Sequence, residues 1–143
     1  MTIMTEKFKI LAKYIKDISS ETPDIETYLF VKDHISKYQL NIDITSMALK
    51  NKLIEVYITL KFEDKEANQK KSYFEIVYAC VIKVDESIKD KKDLEKIILC
   101  DVPDKIYPEI EKTFLNLVHN SGHPEIKLEK KVDFHKLYKE KFN

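Results

Sequence analysis

Between Ile54 and Phe62 every second residue is apolar. Ile54, Val56, Ile58, Leu60 and Phe62 fall on one face of an extended chain, with Glu55, Tyr57, Thr59 and Lys61 on the other. A period of two sustained over this length fits a half-buried β-strand and no helix. Residues 38–46 repeat the pattern, with Tyr38, Leu40, Ile42 and Ile44 alternating with Gln39, Asn41, Asp43 and Thr45. Ser72 to Val84 is apolar on nearly both faces and reads as a further strand. The charged stretch from Glu63 to Lys71 suits a solvated hairpin connection. Three successive strands with short polar links predict an antiparallel meander.

The period then changes. Leu94, Ile97 and Ile98 predict a short helix over 91–99. Ile106, Ile110, Phe114, Leu117 and Val118 mark an amphipathic helix over 105–120. Asn120-Ser-Gly122 stops it, with Gly122 suited to a left-handed cap. Phe134, Leu137, Tyr138 and Phe142 mark a last helix, opened by Asp133 as a cap. Residues 8–18 read either way: Ile10, Ala12, Tyr14 and Asp17 partly follow a period of two, whereas Leu11, Ile15 and Ile18 suit a helix. Ser19 to Asp24, with Pro23, reads as a loop. Strands followed by helices predict one α+β domain over residues 1–143, with no repeat and no linker.

Composition removes several function classes. Lys+Arg and Asp+Glu are both 25, so the formal charge is zero, which argues against nucleic acid as a partner. A single glycine rules out a Gly-rich phosphate loop. Cys80 and Cys100 form no CxxC and are expected to be buried thiols. His119 and His123 are four apart, but Gly122 interrupts the helix between them. They read as helix-end or loop histidines, and no metal site is expected. No serine lies in GxSxG and neither cysteine has a nucleophile signature, so the residues predict neither catalysis nor a cofactor. No apolar run is long enough to span a bilayer, and the opening Met1-Thr-Ile-Met-Thr-Glu-Lys7 is unlike a secretory signal. A cytoplasmic location without membrane insertion is expected. Tyr57 and Tyr73 stand on strand faces that helices on one side leave uncovered. Extra apolar area of this kind points to assembly or client binding.

Several segments resemble, in order, the SecB family of protein-export chaperones. Tyr14-Ile-Lys-Asp-Ile-Ser-Ser-Glu-Thr-Pro23 resembles the family's first strand and the turn after it. Tyr38-Gln-Leu-Asn-Ile-Asp43 resembles the second strand, and Ile54-Glu-Val56 the start of the third. Tyr107-Pro108 resembles the opening of the long helix. Gly122-His-Pro124, Ile126-Lys-Leu128 and Val132-Asp-Phe134-x-x-Leu137-Tyr138 resemble the close of the domain. The resemblance implies that residues 8–18 are a strand. It also implies a four-stranded antiparallel sheet followed by helices, assembled as a dimer of dimers. First strands would pair across the dimer, and the long helix (Ile106, Ile110, Phe114 and Leu117) would form the tetramer seam.

The function implied is an ATP-independent cytoplasmic holdase, not an enzyme. It would bind unfolded export precursors and deliver them to the SecA motor ATPase. The client groove implied has Tyr38, Leu40 and Ile42 as its floor and Leu137 and Tyr138 as a wall. The SecA-binding surface implied is Asp17, Glu21, Tyr73 and Glu75. Four features depart from the family, one of them Cys100-Asp-Val-Pro103-Asp in place of a Cys-Pro-Asn run before the long helix. Ala79-Cys80 replaces a Gly-Gly. The crossover from Val84 to Leu99 is rich in Lys and Asp, which weighs against a lid role. The acidic tail by which many relatives reach SecA has no counterpart before Asn143, so hand-over would rest on the sheet acids. Two rivals remain: a SecB-like chaperone dedicated to one client such as an antitoxin, and a small α+β enzyme or ligand-binding protein.

Overall fold

The computed structural model describes residues 7–65, 71–128 and 132–142, the last two of these without their side chains. In chain order the elements are β1 (Phe8–Glu21), α1 (Ile25–His34), β2 (Gln39–Ala48), β3 (Leu53–Glu63), β4 (Tyr73–Val84), α2 (Lys91–Lys96), α3 (Val102–Asn120) and α4 (Phe134–Phe142). The four strands form one antiparallel sheet in the order β1-β4-β3-β2. β2, β3 and β4 make the expected meander. β1 adds to the free side of β4, so β1 and β2 are the two edges.

The alternation seen in the sequence becomes two faces. Leu40 lies opposite Phe62, Ile42 opposite Leu60, and Leu60 opposite Ile76. The even-numbered residues of β2 to β4 thus share the face under the helices. Val56, Ile58, Leu60, Phe74, Ile76 and Ile82 are fully buried there. Phe62 meets Phe114 of α3 edge-on, with ring centroids 6.4 Å apart at 87°. Each such buried side chain contributes roughly 1.5–3 kcal/mol.

β1 explains its own ambiguity. Its pairing with β4 slips between Ile10 and Ala12 and again between Ile15 and Asp17. Each bulge adds one residue and inverts the in–out order that follows. No single period of two can therefore run through residues 8–18.

Three local features differ from expectation. β1 extends through Ser19–Glu21, so the loop expected at 19–24 shrinks to 22–24, and it leads into α1, a helix that the pattern did not announce. Asp24 caps it, accepting from the Thr27 N–H at 2.8 Å. Thr27 and Val31 are buried while Ile25, Leu29 and Phe30 are exposed beside Glu26, Lys32 and Asp33, so apolar and charged residues share the outer side and α1 shows no amphipathic signal. Second, α3 begins at Val102, and a π-helical turn over Ile97–Asp101 joins it to α2. Pro108 thus sits inside the helix instead of opening it. The missing N–H deprives the carbonyl of exposed Asp104, where water can serve. Third, Ile106, Ile110 and Phe114 are 2%, 0% and 0% exposed. They belong to the protomer's own core and have no surface to offer a seam. Of the four seam positions only Leu117 is partly exposed.

The C-terminus of α3 carries the cap expected at Gly122. The His123 N–H donates to the Val118 carbonyl at 3.3 Å and the Gly122 N–H to the His119 carbonyl at 3.1 Å, a Schellman closure. Gly122 has φ +104°, and a Cβ there would lie 2.5 Å from Cε1 of Tyr28. The Tyr28 hydroxyl donates to the Gly122 carbonyl at 2.8 Å. The one glycine of the chain is where α1 docks against the end of α3. At the start of α4, the Asp133 carboxylate accepts from the Lys136 N–H at 3.0 Å, as its capping role requires.

Candidate functional site

An open groove of about 640 Å³ runs beside the helix-facing side of β2. Tyr38, Leu40, Ile42 and Phe62 form its floor, and Ile126, Leu128 and Leu137 stand along it. The alternation of β2 aims Leu40 and Ile42 inward, and α4 turns Leu137 toward them. Tyr38 is fixed from both sides: its hydroxyl donates to the Ser72 carbonyl at 2.7 Å and accepts from the Ser72 N–H at 3.1 Å. Burial raises its pKa, so it remains a neutral phenol. His119 holds the bordering segment through a 2.7 Å hydrogen bond between its Nε2 and the Ile126 carbonyl. Among the described residues lining the groove, Lys127 alone is charged.

Four of the five groove residues implied by resemblance therefore meet. Tyr138 does not. It is not among the residues lining the groove, and burial raises its pKa, with Glu95 and Cys100 adding to the effect. Consecutive helical residues diverge by about 100°, and Leu137 and Tyr138 serve different neighbours. A second open hollow, of about 570 Å³, lies at the far end of β2. Ala48, Leu53 and Ile54 border it together with Val84, Ile88 and Leu94 of the crossover. The crossover thus borders a hollow despite its charge, because its apolar residues point inward.

The opposite face of the sheet is polar. Glu21 lies opposite Tyr73, Ser19 opposite Glu75 and Asp17 opposite Val77. This register sets Asp17, Glu21, Tyr73 and Glu75 together on the outer face at one corner. Lys61 approaches the Glu75 carboxylate at 3.5 Å.

The outer face also holds a network that the sequence did not reveal. The Tyr14 hydroxyl donates to Glu55 Oε2 at 2.5 Å, and the Tyr57 hydroxyl donates to Oε1 of the same carboxylate. The two hydrogen bonds, chiefly that from Tyr14, hold the Glu55 carboxyl below its usual range. Its own hydrogen bond to Glu55 pushes the Tyr57 hydroxyl up to about 12. Lys16 Nζ stands 4.2 Å above the centre of the Tyr57 ring. Ala79, between Tyr14 and Tyr57 in the register, is completely buried. Tyr57 was visible as an outward aromatic, but its partner across two strands depends on a register set by the bulges of β1.

On the helix side of β1, Lys13 pairs with Glu109 of α3 at 2.7 Å. Beside it the open edge of β1 exposes Leu11, Ile15 and Ile18. Cys80 and Cys100 are free and buried, and burial pushes the Cys80 thiol up to about 11. His119 and His123 part company: the first bonds Ile126, the second is buried between Tyr28 and Phe74. Among the described residues no cluster of potential ligands could hold a metal, and no helix is long and apolar enough to cross a membrane.

Residues 3–143 match the family model for the preprotein translocase subunit SecB. The chain belongs to the SecB family. A protein of Pelagibacter ubique, described as a candidate SecB protein-export protein, is 59% identical over 98% of this chain and 100% of its own length. The SecB protein-export protein of a Bradyrhizobium strain is 27% identical over 94% of this chain and 81% of its own. A SecB-like chaperone of Mycobacterium tuberculosis, solved with a peptide from an antitoxin, superposes with a TM-score of 0.59 at 11% identity. It covers 87% of this chain and 91% of that one, and at this identity the likeness establishes the fold. SecB-family proteins are chaperones of protein export and not enzymes, which sets aside the enzyme reading.

Proposed function

We propose that this SecB-family chain is an ATP-independent holdase that keeps export precursors unfolded and delivers them to the SecA motor. The apolar groove floored by Tyr38, Leu40 and Ile42 carries the reading. Its walls offer a neutral, half-open apolar surface to short segments of an unfolded client. Each contact is weak, and linkage along the client multiplies them. Binding the unfolded state competes with folding by mass action. A chain with one glycine offers no Gly-rich phosphate loop, which supports a cycle without ATP. Asp17, Glu21, Tyr73 and Glu75 face away from the groove, which lets the motor and the client be held at once.

The assembly proposed is a dimer of dimers in the cytoplasm. The open β1 edge, with its exposed Leu11, Ile15 and Ile18, supports pairing of first strands. The seam between dimers would use Leu117 and the outward side of α3. A narrower reading, a chaperone dedicated to one client, is favoured by the antitoxin peptide on the structural relative.

Light scattering on a sizing column tests the proposal, with the protein alone and with an unfolded precursor. A mass near four chains that rises with the unfolded precursor, and not with the folded one, supports it. A species that ignores every unfolded precursor overturns it. Binding to one client only, among several unrelated unfolded proteins, favours the dedicated reading.

A further inference from the structure

The acidic corner of the outer face and the groove meet at one rung of the sheet. Glu21 ends β1 and Tyr73 opens β4, and the two lie opposite each other. The next residue on each side, Thr22 and Ser72, carries the contact inward. Their hydroxyls share a hydrogen bond at 2.7 Å. Ser72 is completely buried, and its backbone holds the Tyr38 hydroxyl twice, through its carbonyl at 2.7 Å and its N–H at 3.1 Å. Tyr38 lines the groove floor, its ring packed on Phe62 and Phe74. An unbroken run of covalent and hydrogen bonds thus joins Glu21 and Tyr73 on one side of the sheet to the groove on the other.

The place of this rung in the sheet gives it freedom to move. The pairing of β1 with β4 stops at Glu21 and Tyr73, and beyond it the two chains are joined by the Thr22–Ser72 hydroxyl pair. Terminal rungs open at lower free energy than central ones. Buried hydroxyls and amides are either paired or costly, so such a rung has two arrangements, closed and open, and no continuum between them.

We infer that the chain Thr22–Ser72–Tyr38 couples the two surfaces. SecA drawing on Glu21 and Tyr73 opens the terminal rung, Ser72 shifts, Tyr38 loses its fixed seat, and the groove loosens its hold on the client. This rests on the holdase reading above. Coupling between two binding sites is reciprocal, so client in the groove weakens SecA by the same factor. Without SecA the rung stays closed, and the groove holds its client at full strength.

The test titrates SecA into the full chain, first empty and then saturated with an unfolded export precursor, and takes the ratio of the two affinities. Direct contact of SecA with the precursor is common to all variants and cancels when their ratios are compared. Thr22→Val keeps the shape of the side chain, removes the hydroxyl and touches neither surface. Its ratio should differ from that of the wild type by about fivefold or more, toward tighter SecA on the loaded chain. Precursor alone and SecA alone should bind it as they bind the wild type. Thr22→Ser keeps the hydroxyl and should restore the wild-type ratio. Tyr38→Phe breaks the other link and should act as Thr22→Val does, and the two together should do no more than either alone. Equal ratios in the wild type and Thr22→Val overturn the inference. So does weaker binding of the precursor by Thr22→Val without SecA, which makes Thr22 a support of the groove. Failure of the wild type to bind the precursor or SecA removes the proposed function, and this inference with it.

Discussion

On β3, Val56, Ile58 and Leu60 are fully buried beneath the helices, while Glu55 and Tyr57 between them hydrogen-bond each other on the opposite face. One strand thus contributes to two surfaces of unlike physics. The helix face is held by apolar contact, which is non-directional and falls with lost area. The outer face is held by a few directed hydrogen bonds to one carboxylate. The first tolerates no missing volume. The second tolerates change at any one atom but depends on register. The groove grows from the helix face and the proposed motor surface from the outer face, so the two should fail separately.

The largest effect is expected on the helix face. Phe114→Ala removes a fully buried ring from between α3 and Phe62. It should cost about 3–5 kcal/mol, a large part of the stability of a domain this size. Denaturant unfolding measures it, and client and SecA binding should fall together because the whole fold weakens. A loss of less than about 1 kcal/mol would mean that α3 relaxes onto the sheet.

Acid separates the faces next. His123 is completely buried between Tyr28 and Phe74, and no hydrogen bond to either ring nitrogen is present among the described residues. Burial holds its pKa below the ordinary 6.5; Glu125 opposes this and Lys32 adds to it. The unfolded chain therefore takes up a proton below 6.5 that the folded chain refuses. Stability is present above that value and is lost as the pH falls toward the folded pKa, by up to about 1.4 kcal/mol per pH unit. Glu55 on the outer face is held below its ordinary 4.5, so its contribution is lost only at lower pH. Unfolding followed against pH should show both windows, and His123→Phe should remove the upper one alone. A single window near 4 in the wild type would show that His123 does not couple folding to pH.

How far the sequence revealed these two faces follows from their physics. The helix face was legible because β2, β3 and β4 keep a strict period of two, and α3 a period near 3.6. Which of these residues line a groove was named through the family resemblance, and Tyr38, Leu40, Ile42 and Leu137 of the five do line one. β1 was illegible by pattern, since its two bulges invert the alternation, and only the family resemblance gave it as a strand. α1 was missed because its apolar residues gather on no single face: Val31 is buried while Ile25, Leu29 and Phe30 are exposed. The seam came from the family resemblance, and an amphipathic stripe by itself reports burial without saying what covers it. Ile106, Ile110 and Phe114 are covered by the protomer's own sheet. The Tyr14–Glu55–Tyr57 network joins strands far apart in sequence and leaves no local trace.

On the outer face, Asp17→Lys with Glu21→Lys should weaken binding to SecA about tenfold, roughly 1.4 kcal/mol, and leave client holding as it was. Both side chains are exposed and point away from the groove. Calorimetric titration with SecA and a folding-delay assay with an unfolded precursor measure the two activities. Equal loss of both would refute the division between the faces.

The smallest effect falls on the network itself. Tyr14 reaches across Ala79 to Glu55 and ties the edge strand to β3. Tyr14→Phe keeps the ring over Ala79 and removes only the hydroxyl, so it should cost about 1 kcal/mol. The Glu55 carboxyl, losing its stronger donor, should move back toward 4.5 while the hydrogen bond from Tyr57 remains. Because the bond spans the sheet at the second bulge, the loss should be local. Amide hydrogens of β1 are expected to exchange faster, and those of β2 and β3 to keep their protection. Uniform loss of protection across the sheet would show that the hydroxyl supports the whole fold and not the register of its edge. Local loss would assign the network to holding Asp17 and Glu21 in place, since both lie beyond that bulge on the same strand.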